Sequence, residues 1–274
     1  MSILVKQQSR INSQLGRELN AVITILARDI TIFFKSPGAI FSAFAMPIVM
    51  MGMLGGSLAQ NMAGALDYDY NTFMMIGMLV NMLFMTTTMG MTSLVEDHVI
   101  DFTQEMMLSP ISRYSIIIGK ICGSSFSALI GALCTLLVGF SMDITLSLQQ
   151  LLLVLAISPL ICLAAGALSM IIMGVIKDNR TANIIVMLTT MPQMFLSGAI
   201  IPINNSSGIL FYLSRLLPMT YCLDLLRAVI YAETSIYEKV VLFSPLLSLC
   251  IIMIITIIGL ICGTYLFAKS EKNR

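Results

Sequence analysis

The one cluster of ionisable residues with the spacing of a reactive site is Glu96-Asp97-His98, followed by Asp101. Carboxylates beside an imidazole can hold a metal or relay a proton, and on a membrane face such a cluster would suit a lipid-modifying enzyme. His98 is the sole histidine, so a metal centre or a nucleophile–base relay built on imidazole lacks its second member. Of the six cysteines, Cys122, Cys134, Cys162, Cys250 and Cys262 fall inside apolar runs and only Cys222 lies in a connection. None form a C-x-x-C pair, and they read as small hydrophobes. No Gly-rich loop ends in Lys-Ser or Lys-Thr to cradle phosphates, the nearest string being Gly119-Lys120 followed by Ile121. No catalytic residue, metal or cofactor is therefore expected on this chain.

The elements that carry these residues are read from charge. Six stretches contain no Asp, Glu, Lys, Arg or His: Ser36 to Leu66, Asn71 to Val95, Ile121 to Met142, Ile144 to Ile176, Thr181 to Ser214 and Val240 to Ala268. A helix needs about 20 apolar residues to cross a bilayer, and each run is that long. With 58% hydrophobic and 11% charged residues, the composition leaves no room for a sizeable water-soluble domain. An all-α polytopic protein with six membrane-spanning helices is expected.

Of the fifteen Lys and Arg, all but Arg215, Arg227 and Lys239 fall before span one, between spans two and three, between four and five, or after six. Cationic loops stay inside, so both termini are expected in the cytoplasm of a cell-membrane protein. The N-terminus lacks a short apolar core with a small-residue cleavage site, which leaves span one as the expected targeting signal. Residues 1–36 form a cytoplasmic N-terminus, 37–268 the membrane domain and 269–274 a cytoplasmic tail. Within the first part, Leu15, Leu19, Val22, Leu26, Ile30 and Phe33 recur at helical steps, which predicts an interfacial helix ended by Ser36-Pro37.

Spans three and six carry small residues at intervals of four. Gly119, Gly123, Ser127, Gly131, Thr135 and Gly139 make one groove, and Gly259 and Gly263 a shorter one. Such faces let helix backbones approach closely in lipid, within one chain or between two. Met74, Met78, Met82, Met85 and Met89 share a face of span two that could adapt to apolar cargo, or simply fill a membrane core. Asn81 and Thr86-Thr87-Thr88 in that span call for partners inside the bundle. Pro47, Pro159 and Pro192 predict kinks.

Two connections stand out. In segment 96–113, Val99, Phe102 and Met106 form an apolar stripe among Asp101, Gln104 and Glu105, ended by Ser109-Pro110, as suits a short helix in a partner's groove. In segment 197–230, Ser197-Gly198 and Pro202 interrupt the apolar run, a turn cluster comes next at Asn204 to Gly208, and the stretch from Ile209 to Leu217 is too short to cross again. A helix that dips into the outer leaflet and returns is expected, with Asp224 and Arg227 as helix neighbours able to pair.

These blocks resemble a known family. Phe102, Glu105-Met106, Ser109-Pro110, Ser112-Arg113 and Gly119-Lys120 are similar to the coupling-helix segment of type-2 ATP-binding-cassette exporter permeases, especially the drug-resistance branch related to daunorubicin exporters. Phe195 to Gly198 with Pro202, then Pro218, Tyr221, Asp224 and Arg227, are similar to the signature after that family's fifth span. Asp101, where many relatives have Gly, and Ser206-Ser207, in place of Leu-Pro, depart from the pattern.

The resemblance implies a permease that pairs with a second permease subunit, identical or diverged, and with cytoplasmic ATPase subunits that hold ATP and Mg. Asp97, Asp101, Phe102, Glu105, Met106 and Ser109 would dock the ATPase, with Arg113 there or at lipid headgroups. Ser197, Gly198, Pro202, Tyr221, Asp224 and Arg227 would shape an outer gate. The cargo implied is an amphipathic drug, antibiotic or lipid-like compound, and no nucleic acid is expected. Against this stand the lipid-modifying enzyme built on Glu96 to Asp101, and a channel or gradient-driven carrier, which the charge-free spans disfavour.

Overall fold

Ser36 adopts an extended backbone (φ −100°, ψ 95°) and Pro37 occupies the first turn of the next helix, so the chain breaks between two helices where the sequence places the break. The computed structural model of the chain describes residues 2–62, 68–99, 112–176, 178–203 and 208–272. Helix α1 (Ser2–Lys35) precedes the break and α2 (Pro37–Pro47) succeeds it. Pro47 supplies no N–H, and directly after it the helix widens into a π-helical stretch, Ile48–Gly55, before α3 (Gly56–Met62) completes the first apolar passage. The later helices are α4 (Tyr70–Val99), α5 (Arg113–Ser141), α6 (Leu148–Met173), α7 (Asn179–Leu196), α8 (Ile209–Leu216), α9 (Pro218–Ile230), the short α10 (Tyr237–Val240) and α11 (Pro245–Lys272).

Among the described residues, five helical stretches are long and apolar enough to cross a membrane, Pro37–Leu58, Tyr70–Val95, Tyr114–Ser141, Leu148–Met173 and Tyr237–Phe267; α7, in the expected fifth span, is not one of them, and a sixth is counted if the bent pair α8–α9 is taken as one. Contacts at the two ends of the bundle decide how the fifth apolar run behaves. Ala182 and Val186, near the start of α7, pack with Val95 at the far end of α4 and Met173 at the end of α6. Beyond the other end of α7, the Ile200 carbonyl accepts a hydrogen bond from the Tyr70 hydroxyl at the start of α4, 2.8 Å away. Helix α7 and its tail therefore run the whole length of α4. Helices α8 and α9 meet at 81°. Pro218, at their junction, lines a cavity with Phe84, Thr88 and Gln193 deep in the bundle, whereas the Ile230 carbonyl lies at the start of α6, held by Gln150. The pair descends and returns to one end, as the turn cluster and short apolar stretch led one to expect.

Helix α4 is the axis. Every residue from Phe73 to Phe84 is buried, so Met74, Met78 and Met82 belong to a stretch surrounded on all sides, whereas Met85 is half-buried and Met89 exposed. The small-residue groove of α5 is filled from within the chain. Gly119 lies against Val22 and Ile25 of α1, Gly123 against Asp29, Gly131 against Met82 and Gly139 against Met75. Gly259 and Gly263 of α11 rest on Ala167 and Met170 of α6.

A side chain at these contacts must push helices apart. A Cβ on Gly259 would meet the Ala167 carbonyl carbon at 2.9 Å, so Gly259→Val is expected to cost about 1–3 kcal/mol, the scale of overpacking a filled core. The chain has no Trp, but Cys162 and Cys222 are wholly buried, so a thiol-reactive dye reports unfolding in detergent once Cys122, Cys250 and Cys262 are replaced by serine. Gly38→Ala, with open space around its Cβ, should leave the melt unchanged or slightly raised.

Candidate functional site

At the end of the bundle to which α8 and α9 return, two charged residues of α9 are buried, each about 1% exposed. The Asp224 carboxylate accepts hydrogen bonds from the backbone N–H groups of Leu242 and Phe243, the latter at 3.0 Å, and from the Ser248 hydroxyl at 3.0 Å. Those donors lie at the mouth of α11, where unpaired N–H groups and the helix dipole favour an anion. The Arg227 guanidinium donates to the Gly198 carbonyl at 2.6 Å and stacks 3.9 Å above the Phe73 ring. The expected pairing of Asp224 with Arg227 gives way to separate partners: one ties α9 to α11, the other ties it to α4 and the tail of α7.

The tail needs that help. Gly198 has φ +87°, a conformation open to glycine. Ser197 and Gly198 still donate their N–H groups to the Gln193 and Phe195 carbonyls, and beyond them Ala199, Ile200 and Ile203 are buried outside the helix. Ala199 lies so close to α4 that a Cβ on Gly77 would meet its carbonyl oxygen at 1.9 Å. Pro202 lies in the same non-helical stretch, half-buried. Tyr221 stacks on Phe243 and donates its hydroxyl to the Arg215 carbonyl at 2.7 Å, closing the α8–α9 elbow. Gln150 completes a capping box with Ser147 at the start of α6 and reaches the Ile230 carbonyl at 2.8 Å. The residues expected to shape an outer gate are thus brought together. Gln150, Tyr70 and Phe73, which sequence reasoning missed, join them; only the Ser147–Gln150 spacing carried a signal.

At the opposite end, Asp101, Phe102, Glu105, Met106 and Ser109 lie outside the described residues, as do the side chains of Asp97, in the last turn of α4, and Arg113, which opens α5. The chain is firmly held where it leaves that segment. Both Glu18 carboxylate oxygens lie 2.9 Å from the backbone N–H of Ser112, the N-cap of α5, and Lys120 pairs with Asp29 at 3.0 Å. Helix α1 is therefore clamped to the exit of segment 96–111. Asp178 caps α7 beside it, and hydrogen bonds from Thr181 hold its carboxyl below the usual carboxylate range.

The methionine face divides. Met74 and Met78 are fully buried in the core, and Asn81 is buried too. Met82, Met85 and Met89 line a cleft of ≈ 480 Å³ with Phe33 and Met46. A second cavity of ≈ 280 Å³ lies between α4, α6, α7 and the α8–α9 elbow. The buried Thr88 hydroxyl and the Gln193 side-chain carbonyl line it, each without a hydrogen-bond partner. Thr88 belongs to the polar run noted in the sequence; nothing in the sequence singled out Gln193.

Removing the Asp224 carboxylate leaves two backbone donors unmet. Asp224→Ala is expected to destabilise the protein by about 1–3 kcal/mol in a detergent melt, and Asp224→Asn by less, since it keeps one acceptor oxygen. Arg227→Lys should also destabilise it, because an ammonium cannot both stack on Phe73 and reach Gly198.

The family model described as "ABC-2 type transporter" matches residues 20–231, from within α1 through the re-entrant helices. Comparison with curated proteins gives no match. With more than half the chain covered by that match, on a helical bundle of five to six membrane-crossing elements, the chain belongs to the ABC-2 type transporter family as a membrane permease component.

Proposed function

We propose that the chain is the permease subunit of an ATP-driven exporter of the drug-resistance branch, moving an amphipathic drug, antibiotic or lipid-like compound out of the cell. It works with a second permease subunit and with cytoplasmic ATPase subunits that bind ATP and Mg. Both termini and segment 96–113 face the cytoplasm of a cell-membrane protein, and residues 197–230 face outward. The observation that carries this reading is the division of labour between the two ends of the bundle. One end is closed by a re-entrant pair held through Asp224 and Arg227. At the other, α1 grips the exit of the segment that resembles a coupling helix.

A force applied to residues 96–111 has a defined route. It acts on the end of α4 and on the start of α5, which Glu18 and Asp29 bind to α1. Two arrangements with different contacts at the ATPase surface are what nucleotide binding must select between. The cavity with Thr88 and Gln193 offers hydrogen-bonding groups to a polar portion of the cargo below the re-entrant elbow.

Proteoliposomes test the reading. Uphill movement of a candidate amphiphile is expected only when the chain, its ATPase partner and ATP are present together; movement by the chain alone overturns it. Phe102→Ala should weaken ATPase association about thirtyfold, the size of an interface hot spot, in a pull-down titration.

A further inference from the structure

The cavity of ≈ 280 Å³ below the α8–α9 elbow is apolar over most of its wall, and no Asp, Glu, Lys, Arg or His stands among its lining residues. What polar groups it has are nearly all hydrogen-bond acceptors. Ser169 and Thr190, both buried, spend their hydroxyl protons on the Ala165 and Val186 carbonyls at 2.6 and 2.7 Å, and Thr189 spends its own on Ile185 at 2.9 Å. Each of these oxygens keeps only lone pairs to offer. The Gln193 amide N–H donates to the Thr189 carbonyl at 3.0 Å, which fixes the orientation of the amide and leaves its carbonyl oxygen buried and unpaired. Thr88, 3% exposed, also lacks a partner, and alone among these hydroxyls it is free to donate or to accept. Pro218, the residue of α9 in the wall, has no N–H.

We propose that this cavity selects cargo by a neutral hydrogen-bond donor, a hydroxyl or an amide N–H carried on an apolar body. The inference rests on the reading of the cavity as part of the cargo's route and names the chemistry that route admits. A donor placed against Gln193 meets an oxygen that burial has left without a partner, which is worth more than a bond to a group already satisfied. A carboxylate or phosphate finds lone pairs and no cation. An ammonium finds oxygens but no carboxylate, and an unpaired charge in so apolar a chamber is costly. A hydroxyl suits both orphaned groups, able to donate to Gln193 and to accept from Thr88. The volume, ≈ 280 Å³, lies just under the about 300 Å³ at which ligand sites begin, so the polar head enters and the apolar remainder stays outside. Thr189 is exposed and Ile171 and Ile172 are half-buried, so the way in lies between α6 and α7.

The test uses the full-length chain purified in detergent, without ATPase or nucleotide. Three probes share one tail: para-octylphenol, its methyl ether and para-octylbenzoate. Each competes with a photoreactive alkylphenol, and the labelled peptides are read by mass spectrometry. The alkylphenol should label Leu168 to Ile172 or Thr189 to Gln193. Octylphenol should displace it about tenfold better than the ether does, the scale of one hydrogen bond to a buried acceptor, and the benzoate should not compete. Gln193→Leu should bring the phenol down to the level of the ether and leave the ether unchanged, a readout that a purely structural role does not produce. Thr88→Val keeps the shape and removes an unpaired hydroxyl, so Tm should hold or rise while the phenol loses affinity.

Equal displacement by phenol and ether, stronger displacement by the benzoate, or labelling confined to other helices overturns the proposal. So does an equal loss of affinity for phenol and ether in Gln193→Leu. Binding at this cavity with no ATP-dependent movement of octylphenol, in proteoliposomes that hold the chain and its ATPase partner, would sink the export route through it and leave the donor preference standing. Uphill movement of amphiphiles with no preference for a donor sinks the inference alone.

Discussion

In hydrocarbon an unpaired backbone N–H or carbonyl costs several kcal/mol, and the irregular stretches described around α9 answer to that rule. The tail of α7 leaves the helix after Gly198, with Ala199, Ile200 and Ile203 buried. Its exposed carbonyls are met by side chains from elsewhere: Gly198 by Arg227 and Ile200 by Tyr70. The donors at the mouth of α11 are met by Asp224. A buried charge is costly when unpartnered, and these two carry their cost because each satisfies groups that nothing else reaches. The re-entrant end is thus an interlocked set in which α4, α6, α7, α9 and α11 each supply one side of a polar contact.

The opposite end obeys a different logic. Its contacts are between whole elements, α1 laid along α5 over Gly119 and Gly123 and fastened by Glu18 and Asp29. Small residues let the two helices touch, and the carboxylates fix their register. In the function proposed above, that difference has a use: one end would respond to a partner as a rigid handle, and the other would stay sealed until the handle moves.

Much of this was legible in the sequence because membrane insertion is coarse physics. Charge-free runs located the long helices and Ser36-Pro37 marked the break before the first passage, whereas Pro159 and Pro192 sit inside the continuous helices α6 and α7. Ser197-Gly198 ends α7, and the short apolar stretch after Asn204 to Gly208 opens the bent pair α8–α9. The groove on α5 announced a contact, but its occupants come from residues about a hundred positions away in α1 and about fifty away in α4, a pairing no local pattern encodes. The partners of Asp224 and Arg227 were hidden for the same reason: spacing on α9 suggested that they meet each other, whereas the tertiary arrangement points one at α11 and the other at α4 and α7. The methionine face was read from one helix alone, and only the surrounding helices decide that Met74 and Met78 are core while Met82 and Met85 line a cleft.

Gly77 and Ala199 meet backbone to backbone, with no room for even a methyl group between them. Side chains at an ordinary contact yield by changing rotamer, but peptide planes do not. Helix α4, thirty residues without a proline, extends about 45 Å from just beyond that contact to the edge of segment 100–111. It is a continuous strut, so a tilt at one of its ends would be carried to the other as a shift of the Ala199 stretch it touches.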